Sequence, residues 1–564
     1  MIHKPSRLAA ITVAALTALS LAACGGKKAD NDASSAPAGD AQSAEQSAPA
    51  ADQPASDTPF QIAYNADAAH EPWVTAVTNS IAQTLGINAT GNPYPTFKEF
   101  RDAITKREIQ TAFRTGWQAD YPGLNNFLGP LYYTKAGSND GDYSTTEFDD
   151  LINQANNAKS VDEANSLLQQ AQTVLFTDLP AIPLWYQNVT GVWGEKVENV
   201  VFNWKSVPIY NEVTKTEDGG IVTANAGEPQ NPLIPSLTNE VQGGKVLDLI
   251  FSGLVYYDGS GAVHNEVAES ITTDDSKTYT IKVADGWTFS DGSKVNADSF
   301  INAWDDGALL SNERLSSYFF EGIEGFSYDE DTHIKDAGLK KVDDLTFTVT
   351  LKQAEADFPL RLGYSAFAPL PESAFDKDGK VTDEFGEHPI GNGPYQLDGD
   401  NAWKHEESIA LVPNPNYKGQ QKVSNNGTTL IFYPEMDAAY ADVQAGNLDI
   451  LDAMPESGLP TYQTDFAGRY VNQPAAVFQS FTIPQWLDHF QGDEGKLRRQ
   501  AISMAINRAE ICDKIFSGTR SPASDFTSPV ISGWSDSVPG SEVLQYNPEK
   551  AKELWEQANQ INPW

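Results

Sequence analysis

The sequence predicts a body of mixed α/β class, because strand patterns and helix patterns alternate from about residue 60 to residue 564. Tyr279, Ile281 and Val283 alternate with polar residues, which is the two-residue period of a half-buried strand. Ser160, followed by Glu163 three residues later, is a capping-box pattern at the start of an apolar helical stripe. No internal repeat of about 20–50 residues is visible, which argues against solenoids and propellers.

The two-residue period of strands and the apolar stripe of helices predict three further elements. Apolar residues alternate with Thr and Asp from Leu345 to Leu351, which predicts a second strand of the half-buried kind. Asn296 is a suitable N-cap for a helix that carries Phe300 and Trp304 on one stripe. Apolar residues at helical spacing also predict a helix over residues 497–505.

Composition narrows the classes of partner. The 564 residues include 77 Asp and Glu against 38 Lys and Arg, for a formal net charge of −39. That length provides for about three or four domain-sized units. The acid excess argues against nucleic acid and against a polybasic membrane patch, because both kinds of binding need a basic face. The two cysteines, Cys24 and Cys512, make a disulfide framework unexpected.

The N-terminus has the pattern of a signal peptide. Lys4 and Arg7 precede an apolar stretch over residues 8–23, which is shorter than the about 20 residues of a membrane span. Leu21-Ala22-Ala23-Cys24-Gly25 resembles a bacterial lipobox, which implies cleavage of residues 1–23 and a lipid on the Cys24 thiol. The alternative is an ordinary signal peptide with an incidental cysteine. Residues 25–58 are Ala, Ser, Asp, Gln, Pro, Gly and similar types without large apolar side chains, so residues 24–58 are predicted to be the lipid anchor and a disordered tether.

Signatures of enzymes and metal sites are mostly missing from the sequence. Residues 363–367 fail the Gly-x-Ser-x-Gly pattern at their last position, and His70-Glu71 lacks the second histidine of a zinc-protease helix. Asn139-Asp140-Gly141-Asp142 has oxygen ligands of the kind that bind calcium but no following glutamate, so a turn is the preferred interpretation. We therefore expect no metal and no cofactor.

Two stretches of the body carry a family resemblance. The stretches are Ala268-Glu269-Ser270 with Trp287-Thr288-Phe289-Ser290-Asp291-Gly292, and Arg114-Thr115-Gly116-Trp117-Gln118-Ala119-Asp120-Tyr121. They resemble blocks of the family 5 extracellular solute-binding proteins, the oligopeptide and dipeptide receptors of ABC importers. Weaker matches extend the resemblance over nearly all of residues 59–564.

The resemblance implies a fold of two α/β lobes, of the periplasmic-binding-protein type (type II). Two crossovers join the lobes, which close around a ligand as a hinged clamp, and one lobe carries a smaller subdomain. Mapped onto this chain, lobe A runs without interruption over residues 186–475 and includes the subdomain at about residues 250–390. Lobe B is assembled from residues 59–185 and residues 476–564.

The order of the blocks departs from the family. There, the block that here begins near Val222 comes first, and the Gly-Trp-x-Ala-Asp block comes near the end. Here residues 60–213 carry the late block and precede the early one. The sequence therefore resembles a circular permutant, in which residues 214–220 join the former termini. We expect Trp564 to lie near Pro59 at the surface, because permutation is tolerated where termini are close.

The resemblance also implies a set of ligand-binding residues. In the family, the aspartate of Gly-Trp-x-Ala-Asp pairs with the ammonium of a peptide, and Asp120 occupies that position. Arg114 lies where some peptide binders place a partner for the carboxylate, although a structural salt bridge is the alternative. Gly116 and Gln118 are expected to bind peptide through their main chain.

One strand edge and two aromatic side chains complete the expected site. Residues 226–230, which include Glu228, Pro229 and Gln230, are expected to form a strand edge that pairs with the ligand backbone. Trp117 and Phe97 are candidate cleft aromatics, with core packing as the alternative for each.

Together these features predict a substrate-binding lipoprotein that captures oligopeptides outside the cell and delivers them to an ABC permease. We expect a monomer without enzymatic activity, held by its lipid at the outer face of a bacterial membrane. A binding protein for oligosaccharides or another small solute is the first alternative. A secreted glycoside hydrolase with two facing carboxylates is the alternative from another class.

Overall fold

Residues 59–564 are described by the structure, a computed structural model of the chain. They form a mixed α/β body, as predicted. The expectations for the signal peptide, for lipidation of Cys24 and for the tether concern residues outside this range. Across residues 59–564, no helix is both long and apolar enough to cross a membrane.

The strands of this range vary from two to thirteen residues. In chain order they are β1 Phe60–Asn65, β2 Ala89–Tyr94, β3 Ala112–Gln118, β4 Ala181–Trp193, β5 Val197–Glu198, β6 Thr214–Lys215, β7 Ile221–Ala226, β8 Val255–Tyr257, β9 Val263–Asn265, β10 Ala268–Thr273, β11 Thr278–Val283, β12 Leu339–Lys341, β13 Thr346–Thr350, β14 Tyr395–Leu397, β15 Trp403–Lys404, β16 Ser408–Pro413, β17 Gly427–Phe432, β18 Ile450–Leu451, β19 Tyr470–Thr482 and β20 Arg520–Pro522.

Several helices begin with a side-chain cap. Ser160 and Asn296 are N-caps, as predicted: each side chain accepts a hydrogen bond from the backbone N–H three residues later, and Ser299 returns the bond at the second site. The α-helices are α1 Glu71–Leu85, α2 Phe97–Thr105, α3 Asn125–Tyr132, α4 Thr146–Asn156, α5 Val161–Asp178, α6 Val241–Ile250, α7 Ala297–Ala308, α8 Asp383–Glu387, α9 Met436–Ala445, α10 Tyr462–Asp465, α11 Gly492–Met504, α12 Arg508–Lys514 and α13 Pro548–Ile561.

One sheet connects most of the molecule. Its order is β14-β16-β17-β7-β18-β4-β19-β3-β1-β2, with β15 beside β16 and β20 beside β4. The two central strands, β4 and β19, pair antiparallel with each other over almost their whole length, with breaks in register between Pro474 and Phe478 and between Gln479 and Ser480. On one side of them β17, β7 and β18 are parallel, and on the other side β2, β1 and β3 are parallel. The long strands therefore cross between two half-sheets.

The apolar core is divided in the same way. The larger hydrophobic cluster draws its buried residues from between Val189 and Val471. A second large cluster draws its residues from Phe60 to Tyr186 and from Ala476 to Trp555, and it also includes Trp204 and Ala356. This division supports lobes A and B, although the boundaries near residues 185 and 475 stay predictions. Both boundaries fall inside the long strands β4 and β19.

A smaller antiparallel sheet lies within lobe A. Its order is β10-β11-β13-β12. The helix α7 packs on it, with the Phe300 ring stacked on Phe347 at 5.8 Å and the Trp304 ring edge-on to Phe347 at 5.6 Å. The alternation that predicted β11 and β13 therefore placed their apolar side chains on the face that this helix covers.

The two ends of the described range lie close together. The Trp564 ring is 6.0 Å from that of Phe490, and the Phe490 ring is 6.0 Å from that of Phe60. Pro59 and Trp564 are both partly exposed. The geometric condition for a permuted chain is thus satisfied, whereas the permutation itself stays a prediction.

Candidate functional site

The strand β3 carries the predicted site and has an open edge. On one side it pairs antiparallel with β19 along its whole length, from Phe113 to Gln118. On the other side it pairs with β1 only at Ala112 and Phe113. Beyond Phe113 the second edge of β3 therefore has no strand partner among residues 59–564.

The register decides which main-chain groups face that open edge. The Ala119 N–H donates to the Ala476 carbonyl at 2.9 Å, so the odd-numbered residues of this segment exchange hydrogen bonds with β19. In an antiparallel pair the intervening residues direct their N–H and C=O groups away from that partner. Gly116 and Gln118 are these residues, and both are exposed. Their main-chain groups therefore face the open edge, whereas the binding of peptide by these groups stays a prediction.

Asp120 lies just beyond the C-terminal end of β3, in a site with little solvent. Its carboxylate accepts a hydrogen bond from the Asn126 side-chain amide at 3.1 Å. Burial raises the pKa of the Asp120 carboxyl, while the Asn126 hydrogen bond and the charge of Arg361 act in the opposite direction. No ion pair to Asp120 occurs within residues 59–564. A partly desolvated carboxylate with one neutral donor suits a cationic ligand group.

Asn126 is a site residue that the sequence analysis missed. Its side-chain oxygen accepts from the Trp117 indole N–H at 3.1 Å and from the Asp120 backbone N–H at 3.0 Å. It is 4% exposed and lies in the first turn of α3. One amide therefore fixes both the aromatic side chain and the acid. An asparagine six residues after Asp120, at a helix start, was the available signal.

Arg114 lies at the other end of the open edge. Its Nε donates to the Asn65 side-chain oxygen at 2.7 Å, and its guanidinium lies 5.5 Å from the Phe97 ring and 5.6 Å from the Phe100 ring. Burial and the nearby charge of Arg101 lower its pKa to about 10. The arginine forms no ion pair within residues 59–564. The alternative of a structural salt bridge therefore finds no partner there.

The two candidate aromatics differ in their surroundings. Phe97 is 39% exposed at the start of α2, where its ring covers the Arg114 guanidinium. Trp117 is partly buried and packs against the core of lobe B while its indole N–H is held by Asn126. Phe97 therefore lies at the arginine end of β3, and Trp117 lies nearer the aspartate end.

The expected second strand edge is shorter than predicted. The strand β7 ends at Ala226, so the extended pairing edge predicted over residues 226–230 is wrong beyond its first residue. Glu228, Pro229 and Gln230 lie in the loop that follows. The Glu228 carboxylate accepts from the His405 ring at 2.8 Å and from the Glu406 backbone N–H at 3.0 Å. These partners occupy its side chain, and no described hydrogen bond joins the loop to β3.

The acidic turn at Asn139–Asp142 is held by arginines. Asp140 pairs with Arg101 at 2.6 Å and Asp142 pairs with Arg107 at 2.7 Å. In the part of the chain that the structure describes, no group of three or more His, Cys, Asp or Glu is placed to hold a metal ion. The Asp140 and Asp142 carboxylates therefore serve as partners of arginines in ion pairs.

The chain is similar to one protein family and to several known proteins. The model of the bacterial extracellular solute-binding proteins, family 5 (middle part), matches residues 262–563. The oligopeptide-binding protein OppA of Bacillus subtilis is 27% identical over 338 residues, covering 58% of this chain and 60% of that protein. The glutathione-binding protein GsiB of Escherichia coli O1:K1 is 25% identical over 342 residues, covering 60% and 62%. This chain spans about three-fifths of the length of these relatives.

A solved structure shares the fold. The unliganded open form of the periplasmic murein tripeptide binding protein MppA aligns with a TM-score of 0.53 at 21% identity, covering 61% of this chain and 66% of that one. This likeness supports the two-lobed fold inferred from the crossing strands and the divided core. Since the family model matches more than half of the residues, the chain belongs to the family 5 bacterial extracellular solute-binding proteins.

Proposed function

We propose that this protein captures oligopeptides outside the cell and delivers them to the permease of an ABC importer. The observation that carries the proposal is the open edge of β3, with a carboxylate at one end and a guanidinium at the other. An extended peptide can add to such an edge as a further strand, through main-chain hydrogen bonds that do not depend on its side chains. Relatives named for binding an oligopeptide, a dipeptide and glutathione favour the same ligand class.

The two charged groups match the two ends of a peptide. Asp120 is the proposed partner of the peptide ammonium, and Arg114 is the proposed partner of its carboxylate. A charge-assisted hydrogen bond of this kind contributes about 1.5–3 kcal/mol. Because the planar guanidinium presents parallel donors, it suits a carboxylate better than a lysine would.

The spacing along β3 bounds the ligand. Arg114 and Gln118 are four residues apart, which corresponds to about 13 Å at a strand rise of about 3.3 Å per residue. Asp120 lies two residues further. The two charged positions are therefore about 20 Å apart along the strand, and an extended peptide of about six residues, at about 3.3–3.6 Å per residue, would span them.

The remaining expectations belong to the same proposal. Phe97 and Trp117 are proposed to contact ligand side chains at the two ends of the cleft. Lipidation at Cys24 would hold the protein at the outer face of the membrane, with lobe A formed by residues 186–475 and lobe B by the rest of the body. The closeness of Trp564 to Phe60 supports the circularly permuted order.

The test of ligand class is mass spectrometry of the protein purified under native conditions. Peptides with free N-termini and lengths of about six residues are the expected cargo. Oligosaccharides in place of peptides would overturn the proposal.

A second experiment tests the role of Asp120. Replacing Asp120 with Asn should weaken the binding of a free-amine peptide by about tenfold or more, while the N-acetylated peptide should lose little. The matched control is Asp150→Asn, which removes one carboxylate from an exposed position on α4. Equal losses for both peptides in Asp120→Asn would show that the carboxylate does not bind the ammonium.

A further inference from the structure

A buried cluster of charged and phenolic groups joins the two lobes next to Asp120. The Tyr121 hydroxyl donates to the Asp357 carboxylate at 2.6 Å, and the Arg361 guanidinium lies 5.0 Å from the Tyr121 ring. Arg361 also pairs with Glu355 at 2.7 Å and lies 3.6 Å from Asp357. Tyr121, Asp357 and Glu355 are each less than 9% exposed.

The partners in this cluster come from different lobes. Tyr121 follows β3, whose sheet neighbours build the core of lobe B. Residues 355–361 follow β13, in the subdomain of lobe A. The Ala356 side chain is nevertheless part of the lobe B core, and its backbone N–H donates to the Asn156 carbonyl at 3.0 Å. Lobe A thus inserts one short segment into lobe B beside the candidate ligand site.

The cluster holds more negative than positive charge. Arg361 is the cation that pairs with Glu355 and Asp357, and its charge also acts on Asp120. Glu321 adds a further negative charge that acts on both Asp120 and Glu355. Burial raises the pKa of the Glu355 carboxyl. Since buried carboxylates are costly without compensation, Arg361 is essential to any state in which the lobes touch here.

We propose that Asp357 and Arg361, acting through Tyr121, are positioning residues that latch lobe A onto lobe B and hold Asp120 at the closed cleft. Tyr121 is adjacent to Asp120 in the chain, so fixing its ring and hydroxyl across the cleft also fixes the neighbouring carboxylate. The statement about Asp120 rests on the proposed function. The latch itself does not, because its contacts involve no ligand.

The experiment measures the separation of the lobes directly. Spin labels are placed at Asp150→Cys in lobe B and Lys377→Cys in lobe A, both exposed positions, in a chain with Cys24→Ser. The buried Cys512 is left in place. Distance distributions are recorded by double electron–electron resonance on the protein as purified. In the protein whose latch residues are unchanged, we expect two populations of distance between the spin labels, one for the closed lobes and one for the open lobes.

The test variant is Tyr121→Phe, which keeps the ring beneath Arg361 and removes the hydroxyl. The closed-to-open ratio should fall about tenfold to a hundredfold, as expected for the loss of a hydrogen bond to a buried charged acceptor. The matched control is Tyr433→Phe, which removes a 2.8 Å hydrogen bond to Asp442 within lobe A. The control should leave the ratio unchanged.

A double-mutant cycle separates the latch from a general loss of packing. Asp357→Ala alone should also open the protein, and adding it to Tyr121→Phe should cost far less than the sum, because both remove the Tyr121–Asp357 hydrogen bond. Additive effects, an unchanged ratio in Tyr121→Phe, or only an open separation in the starting protein would overturn the latch. Melting temperatures of all variants report whether they fold.

The two proposals fail in different ways. If the ligand is not a peptide, N-acetylation of a test peptide will have no effect on binding, while the Tyr121→Phe distance distribution will still shift. If the latch is wrong, the distances will not shift, while the dependence on the free amine will remain.

Discussion

A proline at position 118 tests the open edge of β3 without removing any described hydrogen bond of the fold. Proline has no N–H, and the Gln118 N–H faces away from β19. Edge strands tolerate proline, and the preceding Trp117 is already extended, as the residue before a proline prefers. Gln118→Pro should therefore remove a donor for the ligand while leaving the sheet intact.

The expected loss of peptide affinity in Gln118→Pro is that of one neutral main-chain hydrogen bond. Such a bond contributes about 0.5–1.5 kcal/mol, so the affinity for peptide should fall about twofold to thirteenfold. Isothermal titration calorimetry with the most abundant copurified peptide, made synthetically, measures this change. Urea unfolding of the ligand-free protein measures the stability of each variant.

The control is a proline one residue further along. Ala119→Pro removes the N–H that donates to the Ala476 carbonyl and leaves that carbonyl without its partner. It should lower the free energy of unfolding by at least about 1–3 kcal/mol. If Gln118→Pro destabilises the fold as much as Ala119→Pro, or leaves the affinity unchanged, the assignment of the open edge is wrong.

Three further predictions concern charge and packing. Arg114→Lys should weaken a peptide with a free carboxylate more than its C-terminal amide, measured by calorimetry, because lysine lacks the planar fork. Burial raises the pKa of Asp120, so this carboxyl takes up a proton at a higher pH than an ordinary carboxyl does. As the pH is lowered, peptide affinity should therefore begin to fall at a higher pH than it would with an ordinary carboxyl. Asp120→Asn should abolish that pH dependence. Arg508→Met should lower the free energy of unfolding by about 1–3 kcal/mol for each carbonyl that loses its donor, measured in urea titrations, since the buried guanidinium donates to the carbonyls of Pro183, Ser503 and Leu544.

Local elements were predictable because their signals are local. Ser160 and Asn296 each cap the helix that the pattern indicated, since a cap needs only a side-chain oxygen and the next turn of backbone. The strands β11 and β13 were visible in their alternation for the same reason. The family motif then located Asp120 and Arg114 at the two ends of one strand.

The features that were missed or wrong depend on distant parts of the chain. Tyr121 and Asp357 are separated by 236 residues, so nothing near either one indicated their hydrogen bond. Glu228 was expected on a strand edge, but its carboxylate binds the His405 ring and the Glu406 backbone, which come 177 and 178 residues later in the chain. Such long-range contacts decide which charged side chains face a ligand and which pair with each other.

The divided core of lobe B has a consequence for how the chain is made. Residues 60–186 emerge from the ribosome with half of an apolar core exposed, and the strand and helices that cover it, β19, α11 and α13, come after residue 469. At about 5–20 residues per second, roughly 290 intervening residues take about 15–60 s to synthesise. For that time the first segment exposes apolar surface of the kind that chaperones bind.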